Sequence, residues 1–238
     1  RLVLAVMADP LLRIPAMFLA RLARPFAAWF AGKSRIGFSF GMLAATKARH
    51  AGMAAQRHDG MRSPDAGMPL SRHAPVTPSS GTAVAVFHGC IMSGLFSHVN
   101  DATRRTLSAN GYDEVTVPAQ GCCGALHAHA GAHDDAVALA RTNVRAFAGA
   151  GDAAIAVNSA GCGAALKDYA RLLAHDDLAD EARAFAGRVR DVSELLSARG
   201  PRPGARLDVT VAYDAPCHLL HAQHVADPPL AVLDAIPG

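Results

Sequence analysis

The chain has 238 residues, of which 51% are apolar and 5% aromatic, and it carries a formal net charge of +3. These values indicate one or two globular domains with an aliphatic interior, and they exclude a chain that is disordered throughout. Positive charge is concentrated at the start, because residues 1–60 hold nine Lys or Arg against Asp9 and Asp59. This asymmetry predicts contact with an acidic protein or membrane surface.

The first part of the chain is apolar but interrupted. Within residues 2–31, charged side chains and three prolines (Pro10, Pro15 and Pro25) break every run before it reaches the length of a membrane-spanning helix. We therefore predict short amphipathic helices in an N-terminal helical segment, residues 1–50, that packs on the rest of the subunit or its partners. Attachment to a membrane interface is the alternative. Residues 51–81 contain four prolines among Gly, Ser and His, and they predict a flexible linker.

Three short apolar runs rich in β-branched residues predict strands. They are residues 82–87, 113–118 and 153–157. A helical pattern follows each run, over residues 97–110, from Asp134 onwards, and over 166–173. This alternation predicts an α/β fold with a parallel sheet.

Four of the five cysteines follow these predicted strands. Cys90 comes after the first run, the adjacent Cys122 and Cys123 after the second, and Cys162 after the third, each beside glycine. Ligands of open parallel sheets bind at the carboxyl ends of the strands. A disulfide between adjacent cysteines is strained, and soft thiolates select zinc, copper(I) or iron–sulfur clusters. The array therefore predicts metal binding or redox chemistry.

The fifth cysteine begins a second copy of the same pattern. Val211-Ala212 precedes Cys217 at the same offset as Val84-Ala85 precedes Cys90. This predicts an internal duplication over residues 206–238. We expect this copy to be incomplete, because its own cysteine pair would fall beyond residue 238.

Three segments of the chain resemble a known family. The resemblance is carried by Gly121-Cys122-Cys123-Gly124-Ala125-Leu126-His127, by Asn158-Ser159-Ala160-Gly161-Cys162-Gly163 with Lys167-Asp168-Tyr169, and by Ala212-Tyr213-Asp214-Ala215-Pro216-Cys217-His218. Together they resemble the cysteine-rich CCG domains of glycolate oxidase iron–sulfur subunits. Relatives are the B subunit of heterodisulfide reductase and the iron–sulfur proteins of lactate utilisation. The resemblance implies a Rossmann-like CCG domain over residues 82–205.

The resemblance also implies a function. It is an electron-transfer subunit of a glycolate or related 2-hydroxy-acid dehydrogenase, an oxidoreductase whose substrate is oxidised by a partner subunit carrying FAD. A 4Fe-4S cluster bound by Cys90, Cys122, Cys123 and Cys162 is the implied cofactor, with Cys217 in a second half-site. The implied location is the cytoplasm, alternatively the inner face of the membrane. The basic residues are not interleaved with aromatics, so no nucleic-acid partner is predicted.

Other readings of the residues stay open. No cysteine precedes Cys90, so the ferredoxin-like clusters of the glycolate family are not encoded here, and Gly163-Ala164-Ala165 follows Cys162 where heterodisulfide reductases have a Cys-x-x-Cys. The cysteine site has several alternative interpretations. It binds a cubane cluster, it binds a structural zinc ion in an interaction module, or it binds no metal. A thiol-based reductase is a further alternative. Lys167 is a candidate to offset cluster charge. Several histidines near the cysteines are candidate ligands or donors: His88, His127, His129, His218, His221 and His224.

Overall fold

The structure, a computed structural model, describes residues 9–27 and 82–238. Residues 9–21 and 82–238 belong to one compact unit, and residues 22–27 to another. The predicted linker, residues 51–81, lies outside the described residues, as does most of the second half of the predicted N-terminal segment. The domain boundaries therefore stay predictions.

A four-stranded sheet with every pair parallel lies at the centre of the larger unit. Its strands are β1 (Ala83–Phe87), β2 (Asp113–Glu114), β3 (Ala154–Val157) and β4 (Val189–Asp191), in the order β2-β1-β3-β4. The register places Val84 of β1 beside Glu114 of β2 and Ala154 of β3. The prediction of an α/β fold with a parallel sheet is confirmed.

The helices connect and cover the strands. Before the sheet comes α1 (Pro10–Ala27), and the others in chain order are α2 (Cys90–Leu95), α3 (Ser97–Ala109), α4 (Ala125–His129), α5 (His133–Ala148), α6 (Ala160–Lys167), α7 (Tyr169–Leu172), α8 (Ala179–Arg188), α9 (Val192–Arg199), a π-helical turn (His218–Ala222) and α10 (Asp227–Asp234). The predicted helix over residues 97–110 corresponds to α3, and Asp134 and Asp135 lie in the first turn of α5, where carboxylates stabilise the helix dipole.

Alternate side chains of β1 face two apolar cores. Ala85 and Phe87 pack into the larger core, with Phe147, Tyr169 and Phe185 among its members. Val84 and Val86 face the smaller core on the other side of the sheet. Helices thus bury both faces of the sheet, as parallel strands require.

Two predicted strands differ from the structure. The run 113–118 pairs only over Asp113–Glu114, because β2 is an edge strand and the chain leaves it towards the cysteine turn. Residues 206–216, predicted to begin the second copy, form neither helix nor strand. Leu207, Val209 and Val211 are exposed there, and among the described residues none of the three pairs with a strand of the sheet.

The N-terminal prediction needs one correction. Instead of short helices divided by prolines, residues 10–27 form one continuous helix that begins at Pro10 and contains Pro15 and Pro25. Proline suits the first helical position because its missing N–H would have no partner there. The helix α1 also continues through Pro15 and Pro25. Among the described residues, no helix is both long and apolar enough to cross a membrane.

Candidate metal centre

Four cysteines meet at the carboxyl edge of the sheet. Cys90 opens α2 just after β1, and Cys122 and Cys123 lie in the loop that follows β2 and precedes α4. Cys162 lies in the first turn of α6, after β3. Because β1 and β3 are central neighbours, the turns after them are brought side by side.

The sulfur atoms form two contacting pairs. Cys122 Sγ lies 3.4 Å from Cys90 Sγ, and Cys123 Sγ lies 3.3 Å from Cys162 Sγ. Cys90, Cys122 and Cys123 are buried, and Cys162 is partly exposed. Each of the adjacent cysteines thus contacts a different partner, one after β1 and the other after β3. The thiols of Cys122 and Cys123 also interact with each other. All five cysteines are free thiols.

A buried amide and a phenol fix the turn that carries the cysteine pair. Asn143 of α5, fully buried, accepts from the Gly121 N–H (2.8 Å) and donates to the Cys122 carbonyl (2.9 Å) and the Tyr169 hydroxyl oxygen (3.0 Å). The Tyr169 hydroxyl donates in turn to the Cys123 carbonyl (2.9 Å). The backbone of Gly121, Cys122 and Cys123 is therefore held by side chains of the larger core.

A second amide ties the cysteine-pair loop to the Cys90 turn. Gln120 donates to the carbonyls of Val86 and Val117 at 3.1 Å and accepts from the His88 N–H at 2.7 Å. Asn100 of α3 donates to the His88 carbonyl at 3.0 Å. These bonds hold the end of β1, and with it Cys90, at a fixed place relative to the cysteine pair.

Each sulfur pair has one thiol favoured as a thiolate. Hydrogen bonding with Cys123 and Cys90 lowers the pKa of Cys122, while hydrogen bonding with Cys122, together with burial, raises the pKa of Cys90. The bond from Cys123 lowers the pKa of Cys162, and the bonds to Cys122 and Cys162 raise the pKa of Cys123. The four thiols therefore do not all ionise together: in each pair one sulfur keeps its proton and shares it in a hydrogen bond with the other sulfur. This is expected for neighbouring thiols in a site that holds little water.

An open cleft of about 540 Å³ reaches one side of the thiols. Small residues of α4 and α6 line it beside Cys123, and its rim carries His129, His133 and His218. The His129 and His218 rings stack with centroids 6.0 Å apart. Cys123 and the partly exposed Cys162 therefore lie nearer to solvent than Cys122, which is 1% exposed.

The other predicted site residues are placed apart from the four sulfurs or have other roles. Cys217 is exposed at the start of the π-helical turn. Lys167, predicted in the first turns of its helix, is the last residue of α6 and pairs at 3.0 Å with Glu194, which lies in the first turn of α9. His127 is buried in α4, His88 is partly buried after β1, and His221 and His224 are exposed.

The donor set can be compared with what metals need. Four clustered sulfurs suit zinc or an iron–sulfur cluster, and the burial of three of them excludes competing water. In the part of the chain that the structure describes, no three Cys, His, Asp or Glu side chains are arranged so that they could hold a metal ion as they stand. Thiolates around tetrahedral zinc lie roughly 3.8 Å apart, so these pairs are closer than a metal would hold them. The sulfur chemistry fits a thiolate-ligated metal once each pair separates.

Residue-by-residue reading of the sequence missed the amides that position the thiols. Gln120, Asn143 and Asn100 carry no motif that marks them as site residues. One feature of the sequence could have identified Asn143: it is a polar residue on the buried face of α5, beside Ala140, Val144 and Phe147. A lone amide on an apolar helix face needs partners for its hydrogen bonds, and here the partners are the cysteine turn.

Comparisons with known proteins agree with the geometry. The family described as Cysteine-rich domain, CCG, matches residues 84–167. The chain is 35% identical over 159 residues to the probable glycolate oxidase iron-sulfur subunit of Bacillus subtilis, covering 65% of this chain and 36% of that protein. It is 36% identical over 145 residues to the glycolate oxidase iron-sulfur subunit of Escherichia coli, covering 59% and 36%.

A methanogen protein is also similar. One of the subunits of the fumarate reductase (CoM/CoB) of Methanothermobacter marburgensis is 34% identical over 165 residues, covering 68% of this chain and 31% of that protein. The chain thus spans about a third of the length of these curated relatives. No solved structure matched at comparable significance. Residues 84–167 therefore form a CCG cysteine-rich domain, in a chain related to the iron–sulfur subunits of glycolate oxidases.

Proposed function

We propose that this protein is an electron-transfer subunit whose four clustered thiols, Cys90, Cys122, Cys123 and Cys162, bind an iron–sulfur cluster. The observation that carries the proposal is the meeting of these sulfurs, in contact two by two, at the carboxyl edge of the sheet. A 4Fe-4S cluster there would accept and release electrons singly. The protein's own residues would ligate it, limit water around it and, through Asn143 and Gln120, orient the turns.

The partner is proposed from the relatives. Two similar proteins are iron-sulfur subunits of glycolate oxidase, so we propose that electrons come from a flavin-containing subunit that oxidises glycolate or a related 2-hydroxy acid. Substrate chemistry then takes place on that partner. A cytoplasmic location, with contact at the inner face of the membrane as an alternative, belongs to the same proposal.

The domain organisation is part of the proposal. Residues 1–50 would form a helical N-terminal segment, residues 51–81 a linker, and residues 82–205 the first CCG domain. Residues 206–238 would begin a second CCG domain, with Cys217 as part of its own half-site. The exposed, alternating Leu207, Val209 and Val211 support this proposal, since apolar side chains at a period of two are the pattern of a strand.

The test is metal and acid-labile sulfide analysis of protein expressed and purified without oxygen. We expect iron and sulfide in near-equal amounts and visible absorbance that bleaches with dithionite, with a paramagnetic signal in the reduced state. The Cys123→Ser variant should lose most of the iron, because it removes a sulfur from the buried cluster of thiols. The Cys217→Ser variant, matched in chemistry but exposed, should keep the iron bound at this site.

Three outcomes would contradict the proposed electron transfer. Zinc in place of iron, with no redox signal, would favour a structural or interaction module. Equal iron loss from Cys217→Ser and Cys123→Ser would mean that the four-thiol site does not bind the cluster by itself. Turnover of a disulfide substrate by the metal-free protein would instead favour a thiol-based reductase.

A further inference from the structure

We propose that the metal-free protein is a two-disulfide redox switch, in which oxidation links Cys90 to Cys122 and Cys123 to Cys162, and no other pair. The proposal goes beyond metal binding and concerns the thiols themselves. Its carrying observation is that each sulfur of the adjacent pair contacts a different partner, at 3.4 and 3.3 Å. A covalent disulfide is about 2.05 Å long, so each pair closes with a movement of roughly 1.3 Å shared between two side chains.

The backbone around the adjacent pair opposes the wrong pairing. A bond between Cys122 and Cys123 would close a strained ring across one peptide bond. The carbonyls of both residues are already held, by Asn143 and by Tyr169 respectively. Twisting this peptide to join its own two sulfurs would break buried hydrogen bonds, whereas linking to Cys90 and Cys162 keeps them.

The two disulfides differ in access. Cys162 is the one partly exposed thiol of the four, and Cys123, although only 5% exposed, borders the open cleft, so an oxidant meets this pair first, at Cys162. Cys90 and Cys122 are buried and do not line the cleft. We therefore expect a large disulfide oxidant to act on Cys123–Cys162 first and a small peroxide to act on both pairs.

The chemistry balances with oxidants of these two classes. Glutathione disulfide is reduced to two molecules of glutathione as one pair of thiols loses two protons and two electrons to form one disulfide. Hydrogen peroxide oxidises the same pair of thiols to a disulfide and is itself reduced to two molecules of water. A dithiol reductant reverses either reaction and returns four thiols. If the proposed metal binding holds, both disulfides must be reduced before the site can be loaded, which would make loading dependent on cellular redox state.

The test maps disulfides by mass spectrometry. The metal-free, reduced protein of all 238 residues carries Cys217→Ser, so that the exposed fifth thiol cannot exchange. It is treated with glutathione disulfide or hydrogen peroxide, blocked with N-ethylmaleimide and digested with trypsin. Cys122 and Cys123 share one tryptic peptide, whereas Cys90 and Cys162 lie in two others. We expect cross-links from the shared peptide to each of the other two, with the Cys162 link appearing first under glutathione disulfide.

Single variants assign the partners. In Cys122→Ser we expect the Cys123–Cys162 link to form and Cys90 to remain a free thiol. In Cys123→Ser we expect the Cys90–Cys122 link and a free Cys162. The same reactions in guanidinium chloride should give mixed pairings, because the specificity comes from the fold. Near-UV circular dichroism of each variant verifies that it is folded before oxidation.

Three results would overturn the proposal. One is an internal link within the shared peptide of the folded protein, which would mean that Cys122 and Cys123 pair together. Another is a Cys90–Cys123 link in Cys122→Ser at a yield equal to that of Cys123–Cys162. The third is four free thiols after peroxide treatment. Because iron takes no part in the mapping, failure here is separate from failure of the proposed electron transfer, which iron uptake by the reduced protein tests.

Discussion

Asn143 is the residue whose removal should do most damage to the cysteine-pair turn. In Asn143→Ala, the Gly121 N–H and the Cys122 carbonyl lose the partners that hold them at 2.8 and 2.9 Å, while Tyr169 keeps its bond to the Cys123 carbonyl. A buried polar group left without a partner costs about 1–3 kcal/mol. With two such groups and a small cavity, we expect the free energy of unfolding to fall by about 3 kcal/mol.

The measurement is urea unfolding of the metal-free, reduced protein, followed by circular dichroism. The midpoint should fall while the slope of the transition stays constant, because the variant changes the stability and not the area exposed on unfolding. Thr142→Ala provides the control: Thr142 is the exposed neighbour on α5 and bonds only within its helix, so its cost should stay within about 0.5 kcal/mol.

A double-variant cycle sharpens the test. Tyr169→Phe removes the hydroxyl that donates to Cys123 and accepts from Asn143, which should cost about 1–2 kcal/mol. Since the two side chains share one hydrogen bond, the combined variant should lose less than the sum of the single losses, by about 0.5–1 kcal/mol. A loss below about 1 kcal/mol for Asn143→Ala, or strict additivity, would refute the argument that this network holds the turn.

The remaining predictions concern α6 and the buried phenol. In Gly163→Ala the new Cβ would lie 2.7 Å from Gln223 Nε2 and displace the amide that bonds to the Ala160 carbonyl. Gly161→Ala meets nothing within 4 Å and should gain about 0.5–1 kcal/mol in helix propensity, so the melting temperature of Gly163→Ala should lie below that of Gly161→Ala. The reverse order of the two melting temperatures would contradict this packing. Burial raises the pKa of Tyr169 well above its usual value, so its contribution to stability is complete below about pH 10 and is lost at higher pH, where the unfolded chain releases the proton first. The free energy of unfolding should then decline more steeply for the native protein than for Tyr169→Phe, by up to about 1.4 kcal/mol per pH unit; parallel declines would contradict the assignment.

The sequence predicted those parts of the fold that depend on local pattern. The β-branched runs and the acidic start of α5 identified the alternating strands and helices, and the position of each cysteine after a strand indicated the common edge where they meet. The length of β2 was overestimated, because pairing at a sheet edge depends on a neighbour and not on the side chains of residues 115–118. Likewise, the pattern around Val211 favours a strand, yet in the part of the chain that the structure describes Val211 pairs with no strand of the sheet.

Other features could not be predicted because they arise from tertiary contacts. The sequence grouped four thiols, but only the fold shows that they contact one another as two pairs and that Cys217 is exposed elsewhere. Lys167 was considered as a charge near the thiols, whereas Glu194, distant in sequence, is its partner. The roles of Asn143 and Gln120 follow from which backbone groups lie near them, and that information is absent from local sequence.

The separation of β1 and β3 along the chain also determines when the thiols can meet during synthesis. These strands are adjacent in the sheet, yet Cys162 follows Cys90 by 72 residues. At about 5–20 residues per second, a ribosome needs roughly 4–14 s to add that stretch. In this interval Cys90, joined after 32 residues by Cys122 and then by Cys123, has no completed sheet around it and is exposed to oxidants. The nascent chain is therefore most vulnerable before β3 pairs with β1.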